Sequence, residues 1–130
     1  MLEVILNEAE KISGEIIELR REFHAFPELS WEEVKTTSKI REILEDLGYD
    51  NIKTGFGGTN SGVTAELNGD SPGPCVALRA DIDALPLHEE NDVPYRSRNE
   101  GVMHACGHDA HTAMLLGTAR ILAGIREHIS

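Results

Sequence analysis

CVALRAD, residues 75–81, sets four apolar residues in an unbroken run and then turns polar at Arg79 and Asp81. An apolar run of that length reads as a strand buried on both faces near the centre of a sheet. Polar chemistry delivered at the end of such a strand lies where open α/β sheets collect ligands. The flanking segments agree with an α/β layering. Upstream, Val63, Ala65 and Leu67 alternate with Thr64, Glu66 and Asn68, the period-two signature of a half-buried strand. NGDSPGP, residues 68–74, supplies the turn between the two strands. Downstream, residues 84–103 hold Pro86, Pro94 and mixed charges and read as a loop. From Ala110 onward, AHTAMLLGTARILAGIREHI is small and apolar nearly all round, the pattern of a buried helix.

Two helices precede the strands. Ile5, Ala9, Ile12, Ile16, Leu19 and Phe23 recur at alternating spacings of four and three, which aligns one face of a helix over residues 2–25, with Arg20 and Arg21 on the opposite side. Pro27 ends it, because proline disfavours helical geometry in the residue before it. Ser30 and Glu33 have the spacing of a capping box, with Leu29 and Val34 as its hydrophobic staple. Trp31, Val34, Ile40, Ile43, Leu44 and Leu47 then form the apolar stripe of a second helix, and Gly48 is its stop. GFGGTNSG, residues 55–62, is a turn or exposed loop. It lacks the Lys-Ser/Thr ending of a phosphate loop and precedes a strand rather than a helix. The order is helix, helix, two or three strands, helix, without repeats or linkers.

Composition narrows the function classes. The chain has 130 residues, the size of one domain, with 40% hydrophobic and 27% charged residues. Its net charge of −11 repels phosphate backbones and anionic lipid, so no nucleic acid and no membrane is expected as partner. The N-terminus carries glutamates where a signal peptide needs basic and apolar residues, and two cysteines are too few for a disulfide framework. The expected setting is a reduced, cytoplasmic one.

Three of the six histidines fall in HACGHDAH, residues 104–111, together with Cys106 and Asp109. Cys106 and His108 flank one glycine, so in extended backbone a thiolate and an imidazole converge on one ion. Sulfur and nitrogen donors select transition metals such as zinc. A catalytic zinc needs about three protein ligands, so His104, Asp109, His111 and Asp81 are local candidates for completing the shell. A cysteine nucleophile assisted by histidine is an alternative that needs an orienting group and an oxyanion hole. A purely structural cluster is the third reading. Asp81 and Asp83 stand at i and i+2 after the apolar run, and either could orient a ligand from behind. Glu89 and Glu90 follow His88, but position 92 is Asp, so the H-E-x-x-H zinc motif fails and they read as solvated loop charges. Cys75 reads as a small buried hydrophobe.

LRADIDALPLHEE, then GVMHACGHDAHTAMLLGTARIL, resembles the signature region of the metal-dependent aminoacylase/carboxypeptidase family, in its amidohydrolase branch of hippurate hydrolases, N-acyl-amino-acid amidohydrolases and auxin-conjugate hydrolases. RREFHAFPELSWEE is similar to that family's N-terminal element. The resemblance covers about residues 16–124. It implies the N-terminal part of a zinc-peptidase-like, three-layer α/β/α catalytic domain, with residues 1–130 as one partial domain and the family's lid domain absent. It implies that Cys106 and His108 are metal ligands of a two-metal site holding zinc or manganese. Asp81 falls where other branches have the aspartate of an H-x-D motif; the histidine position is Arg79, which leaves Asp81 an orienting role.

The activity implied for the full enzyme is metal-assisted hydrolysis of the amide bond of N-acyl amino acids or short peptides. Family members are much longer, and the general base, a glutamate, and further ligands lie outside these residues. The chain is therefore expected to be an N-terminal fragment, inactive alone and prone to homo-oligomerise. The alternative is a non-catalytic metal-binding or interaction module that retains the motif.

Overall fold

A computed structural model describes residues 1–129. Helix α1, Leu2–Ala25, is the longest element and follows the 3.6-residue apolar pattern over its whole length. Only its second half is covered: Ile12, Phe23, His24 and Ala25 are buried, while Leu2, Val4 and Leu6 are exposed. Pro27, fully buried, follows the helix end.

Helix α2, Val34–Asp46, begins four residues later than the Ser30 cap expected from sequence. Trp31 adopts a left-handed backbone (φ 71°), which no helix accommodates, so the turn at residues 30–33 stays outside the helix. The capping box does not form. Glu28 takes its place: its carboxylate accepts the amides of Lys35 (3.1 Å) and Thr36 (2.8 Å) and the Thr36 hydroxyl (2.8 Å). Trp31 and Val34 are correspondingly exposed, and the buried stripe runs through Ile40 and Leu44. Gly48 (φ 74°) ends α2 as expected.

Strand β1, Asp50–Thr54, has no counterpart in the sequence pattern, because DNIKT has one apolar residue in five. It pairs antiparallel with β2, Val63–Glu66, and the register shifts between Asp50 and Lys53, where Asn51 takes a positive φ. The glycine-rich stretch is the loop of this hairpin, closed by the Gly55 amide on the Gly62 carbonyl and the Phe56 amide on that of Ser61. The Gly62 amide donates to Thr37 Oγ1 (3.0 Å), which fastens the loop to α2.

Residues 75–79 depart most from expectation. They are extended but belong to no strand, and they are exposed: Val76 is 76% accessible and Leu78 55%. An apolar run becomes a central strand only when neighbours pair with both of its edges, and among the described residues none does. Cys75 is exposed for the same reason. Contact with the rest of the chain resumes at residues 81–83, and bridge pairing at residues 84–85. There Ala84 bridges Leu29 in parallel and Leu85 bridges Met103 antiparallel.

Helix α3, His108–Gly124, starts two residues before Ala110 and is covered on one side only: Ala113, Leu116, Gly117 and Ala119 are buried, and Met114 is 56% exposed. It crosses α1 at Gly117, where a Cβ would stand 3.1 Å from two atoms of Ile16. A short 3-10 turn, Arg126–His128, follows. The core joins Phe23, Ile40, Leu44, Leu116 and Ala119, with Ile52, Val63 and Ala65 of the hairpin packed against it. Helices on a small antiparallel sheet make the chain α/β.

Candidate metal centre

The first turn of α3 and the end of the extended segment meet at His108. Gly107, at φ 96°, takes a left-handed conformation that side chains resist, and it turns the chain from the 104–106 loop into the helix. His108 Nδ1 bonds Asp83 twice, at the carboxylate Oδ1 (2.9 Å) and at the backbone carbonyl (3.0 Å). Both partners are acceptors, so Nδ1 carries the hydrogen. Two residues away Cys106 presents a free, exposed thiol.

The carboxylate behind His108 is thus that of Asp83, not Asp81. Asp81 turns to Arg79, which donates from Nε (3.1 Å) and Nη2 (2.8 Å), and this bond and charge hold the Asp81 carboxyl below the usual carboxylate range. Its backbone carbonyl accepts the Thr112 hydroxyl (3.1 Å), pinning the extended segment to α3. His111 stacks loosely on His108, with ring centroids 6.1 Å apart, and is exposed.

Asp109, expected as a candidate ligand, points the other way, into a buried polar network. Its carboxylate, with no side-chain exposure, takes His24 Nδ1 (2.7 Å) and Arg20 Nε (2.9 Å) on Oδ2. His24 Nε2 meets Glu89 Oε1 at 2.9 Å. Glu89, read from sequence as a solvated loop charge, is 3% exposed. It also accepts the Ser97 amide (2.5 Å) and Asn91 Nδ2 (3.3 Å). Burial pushes the Glu89 carboxyl up, but the Ser97 amide, His24 and Asn91 together outweigh that and hold it below the ordinary range. Tyr95 closes the site, edge-on to His24 at 5.6 Å and beneath the Arg20 guanidinium at 5.4 Å.

His104 lies beside this network, its ring 6.5 Å from that of His24. It is 4% exposed, and burial holds its pKa below the usual histidine range. Neither ring nitrogen has a hydrogen-bond partner among the described residues, and the same holds for Asp109 Oδ1.

An exposed thiol and an imidazole whose tautomer a carboxylate sets form a donor pair that fits part of a transition-metal shell. No three His, Cys, Asp or Glu side chains among the described residues are grouped to hold an ion. His104 and Asp109 therefore do not complete the shell locally.

The model of peptidase family M20/M25/M40 matches residues 77–130. An N-acyl-L-amino acid amidohydrolase of Geobacillus stearothermophilus is 48% identical over 120 residues, 92% of this chain and 32% of that protein. Thermostable carboxypeptidase 1 of Saccharolobus solfataricus is 43% identical over all 130 residues, 33% of its own length. The crystal structure of a dinuclear metal-binding M20 peptidase from Bacillus subtilis superposes with a TM-score of 0.84 at 44% identity, covering 92% of this chain and 33% of that one.

Residues 77–130 match peptidase family M20/M25/M40, and the chain as a whole is similar to the relatives above. It spans about a third of the length of these M20 relatives. The M20 resemblance read from the motifs, and the α/β fold it implied, agree with these matches.

Arg20 and His24, present in the RREFHAFPELSWEE element, and Glu89 had no role at this site assigned from the sequence. Arg20, expected opposite the apolar stripe, stands four residues before His24 and borders that stripe, which lets it reach the buried Asp109. No spacing pattern marked Glu89, whose partners are His24 65 residues upstream, Ser97 8 residues downstream and the nearby Asn91.

Proposed function

We propose that these residues form part of the catalytic domain of a metal-dependent amidohydrolase acting on N-acyl amino acids or short peptides. The observation that carries the reading is the Asp83 carboxylate on His108 Nδ1, beside the exposed Cys106 thiol. A carboxylate bonded behind a histidine is how proteins orient an imidazole toward a metal. Cys106 and His108 are the metal ligands. Asp83 orients His108, and Asp81, kept ionised by Arg79, adds negative charge near His108 and His111. Zinc suits the thiolate–imidazole pair, and manganese is the alternative that the family resemblance implies, in a two-metal site whose remaining ligands lie outside these residues. When bound, such ions supply Lewis acidity toward the amide carbonyl and a water acidic enough to attack near neutral pH.

The amidohydrolase, deacetylase and carboxypeptidase names of the relatives support this substrate class. We place residues 1–130 in a single partial catalytic domain of a cytoplasmic protein. No described helix is long and apolar enough to cross a membrane, and the net charge of −11 argues against nucleic acid as a partner.

A second reading, a metal-binding module without catalysis, is favoured by the lack of a third grouped ligand among the described residues. Equilibrium titration with zinc and manganese, run beside an assay on N-acetyl and N-benzoyl amino acids, tests both. The expected result is metal binding that Cys106→Ser and His108→Ala each weaken strongly and Cys75→Ser leaves alone, with no turnover by the 130 residues. Equal losses from Cys75→Ser and Cys106→Ser would refute the ligand assignment. Turnover abolished by Cys106→Ala would show that local residues complete the site.

A further inference from the structure

The polar network around Asp109 joins three parts of the chain that are distant in sequence. His24 ends α1, Glu89 belongs to the 84–103 loop, and Asp109 sits in the first turn of α3. Both ring nitrogens of His24 face carboxylate oxygens, at 2.7 and 2.9 Å, and its side chain is 4% exposed. One ring bridges the carboxylates of Asp109 and Glu89 from its two ends. His24 is thus a two-ended strut, not a surface residue that happens to be covered.

We infer that His24 is a positioning residue for the metal ligand His108, acting through Asp109 to set the rotation of the first turn of α3. This rests on the metal-ligand reading of Cys106 and His108. Residues 108 and 109 are consecutive in the helix and so point about 100° apart. Fixing Asp109 against His24 and Arg20 thereby fixes the direction of His108. The need for an external hold is visible at the helix start. Gly107 is the N-cap and offers no side chain to the free amides, so from within the helix the first turn is held only by the Ala110 and His111 amides on the Gly107 carbonyl (3.0 and 3.2 Å). Glu89 anchors the other end of the strut. It is itself bound by the Ser97 amide and Asn91, and its backbone carbonyl accepts Arg96 Nη2 (3.2 Å). The loop is in turn tied to the end of α1, where the Arg98 amide donates to the Ala25 carbonyl (2.9 Å) and Asn99 Nδ2 to that of Pro27 (2.6 Å). Removing the strut leaves two buried carboxylates without their common partner, and the cheapest relief is rotation of the α3 first turn, which carries His108 with it.

Cobalt(II) titration of the chain tests this, because a thiolate-to-cobalt charge-transfer band reports the metal's ligands independently of catalysis. His24→Gln and Glu89→Gln are compared with wild type and with Cys106→Ser, after circular dichroism and thermal melts show each to be folded at the assay temperature. Partners behind metal ligands change affinity by about 10–100-fold. The expected result is a loss of that order in both network variants, with a weaker band and with shifted ring ¹⁵N resonances of His108 in the metal-free chain. A folded His24→Gln protein with wild-type affinity, band and His108 resonances overturns the inference and leaves the metal site standing. Should His24→Gln not fold, Glu89→Gln decides by the same readouts. If wild type and Cys106→Ser bind cobalt equally, the metal reading fails and takes the inference with it.

Discussion

At residue scale the informative contrast is between two aspartates two positions apart. Asp81 is paired with its neighbour Arg79 at the surface, while Asp83 reaches His108 across 25 residues. Asp83→Asn is expected to weaken metal binding by about 10–100-fold, since the amide no longer offers a charged acceptor to Nδ1. Asp81→Asn should cost clearly less in the same titration, and the reverse order would return the orienting role to Asp81. Glu89 supplies a pH dependence. Its carboxyl lies below the ordinary 4.5 in the folded chain. The unfolded chain therefore binds more protons just below that value, and stability rises with pH there. The contribution is complete above about 4.5 and is lost as pH falls through the folded value. Urea melts across the acid range should show a shallower loss for Glu89→Gln than for wild type. An equal slope would mean that Glu89 is not held ionised by the network.

At the scale of elements, the crossing of α1 and α3 depends on a missing side chain. Gly117 lets Ile16 approach to where a Cβ would be 3.1 Å away. Gly117→Val puts branched volume into that contact and is expected to cost about 1–3 kcal/mol by overpacking. At Gly14, within α1, an added methyl would meet no atom within 4 Å, so Gly14→Ala gains up to about 1 kcal/mol of helix propensity. Chemical denaturation of both variants checks the pair, and a stabilising Gly117→Val would show that the helices do not cross there. Helix starts are less legible in the sequence than helix faces. The Ser30–Glu33 spacing predicts a capping box, yet Glu28 caps α2 because Trp31 turns left-handed ahead of it. Capping by a residue outside the local four-residue pattern leaves no signature in spacing.

At the scale of the whole molecule, the exposed run at residues 75–79 matters most. Val76 and Leu78 face water from an extended segment with no strand neighbour among the described residues. Unpaired edges and apolar side chains both favour association, the latter at about 25 cal/mol for each Å² buried. The net charge of −11 opposes it. The expected outcome is concentration-dependent self-association of the 130 residues, reduced by the double substitution Val76→Ser and Leu78→Ser. Sedimentation velocity over a range of concentrations measures it, and a monomer at every concentration with a cooperative melt would refute it.

The sequence by itself determined α1, strand β2 and the Ile40–Leu44 part of the α2 face, and it set Cys106 and His108 one glycine apart, because each depends on residues within a few positions of one another. Helical and strand periods are set by local backbone geometry. The M20 motifs were legible for the same reason. Tertiary structure decided the rest. It turned Glu89 from a loop charge into a buried anchor, chose Asp83 over Asp81 as the partner of His108, and left CVAL at the surface instead of in a sheet centre. Each of those outcomes depends on which distant groups arrive beside the residue. Burial, pairing and charge compensation are properties of the neighbourhood, and composition and spacing do not encode it locally.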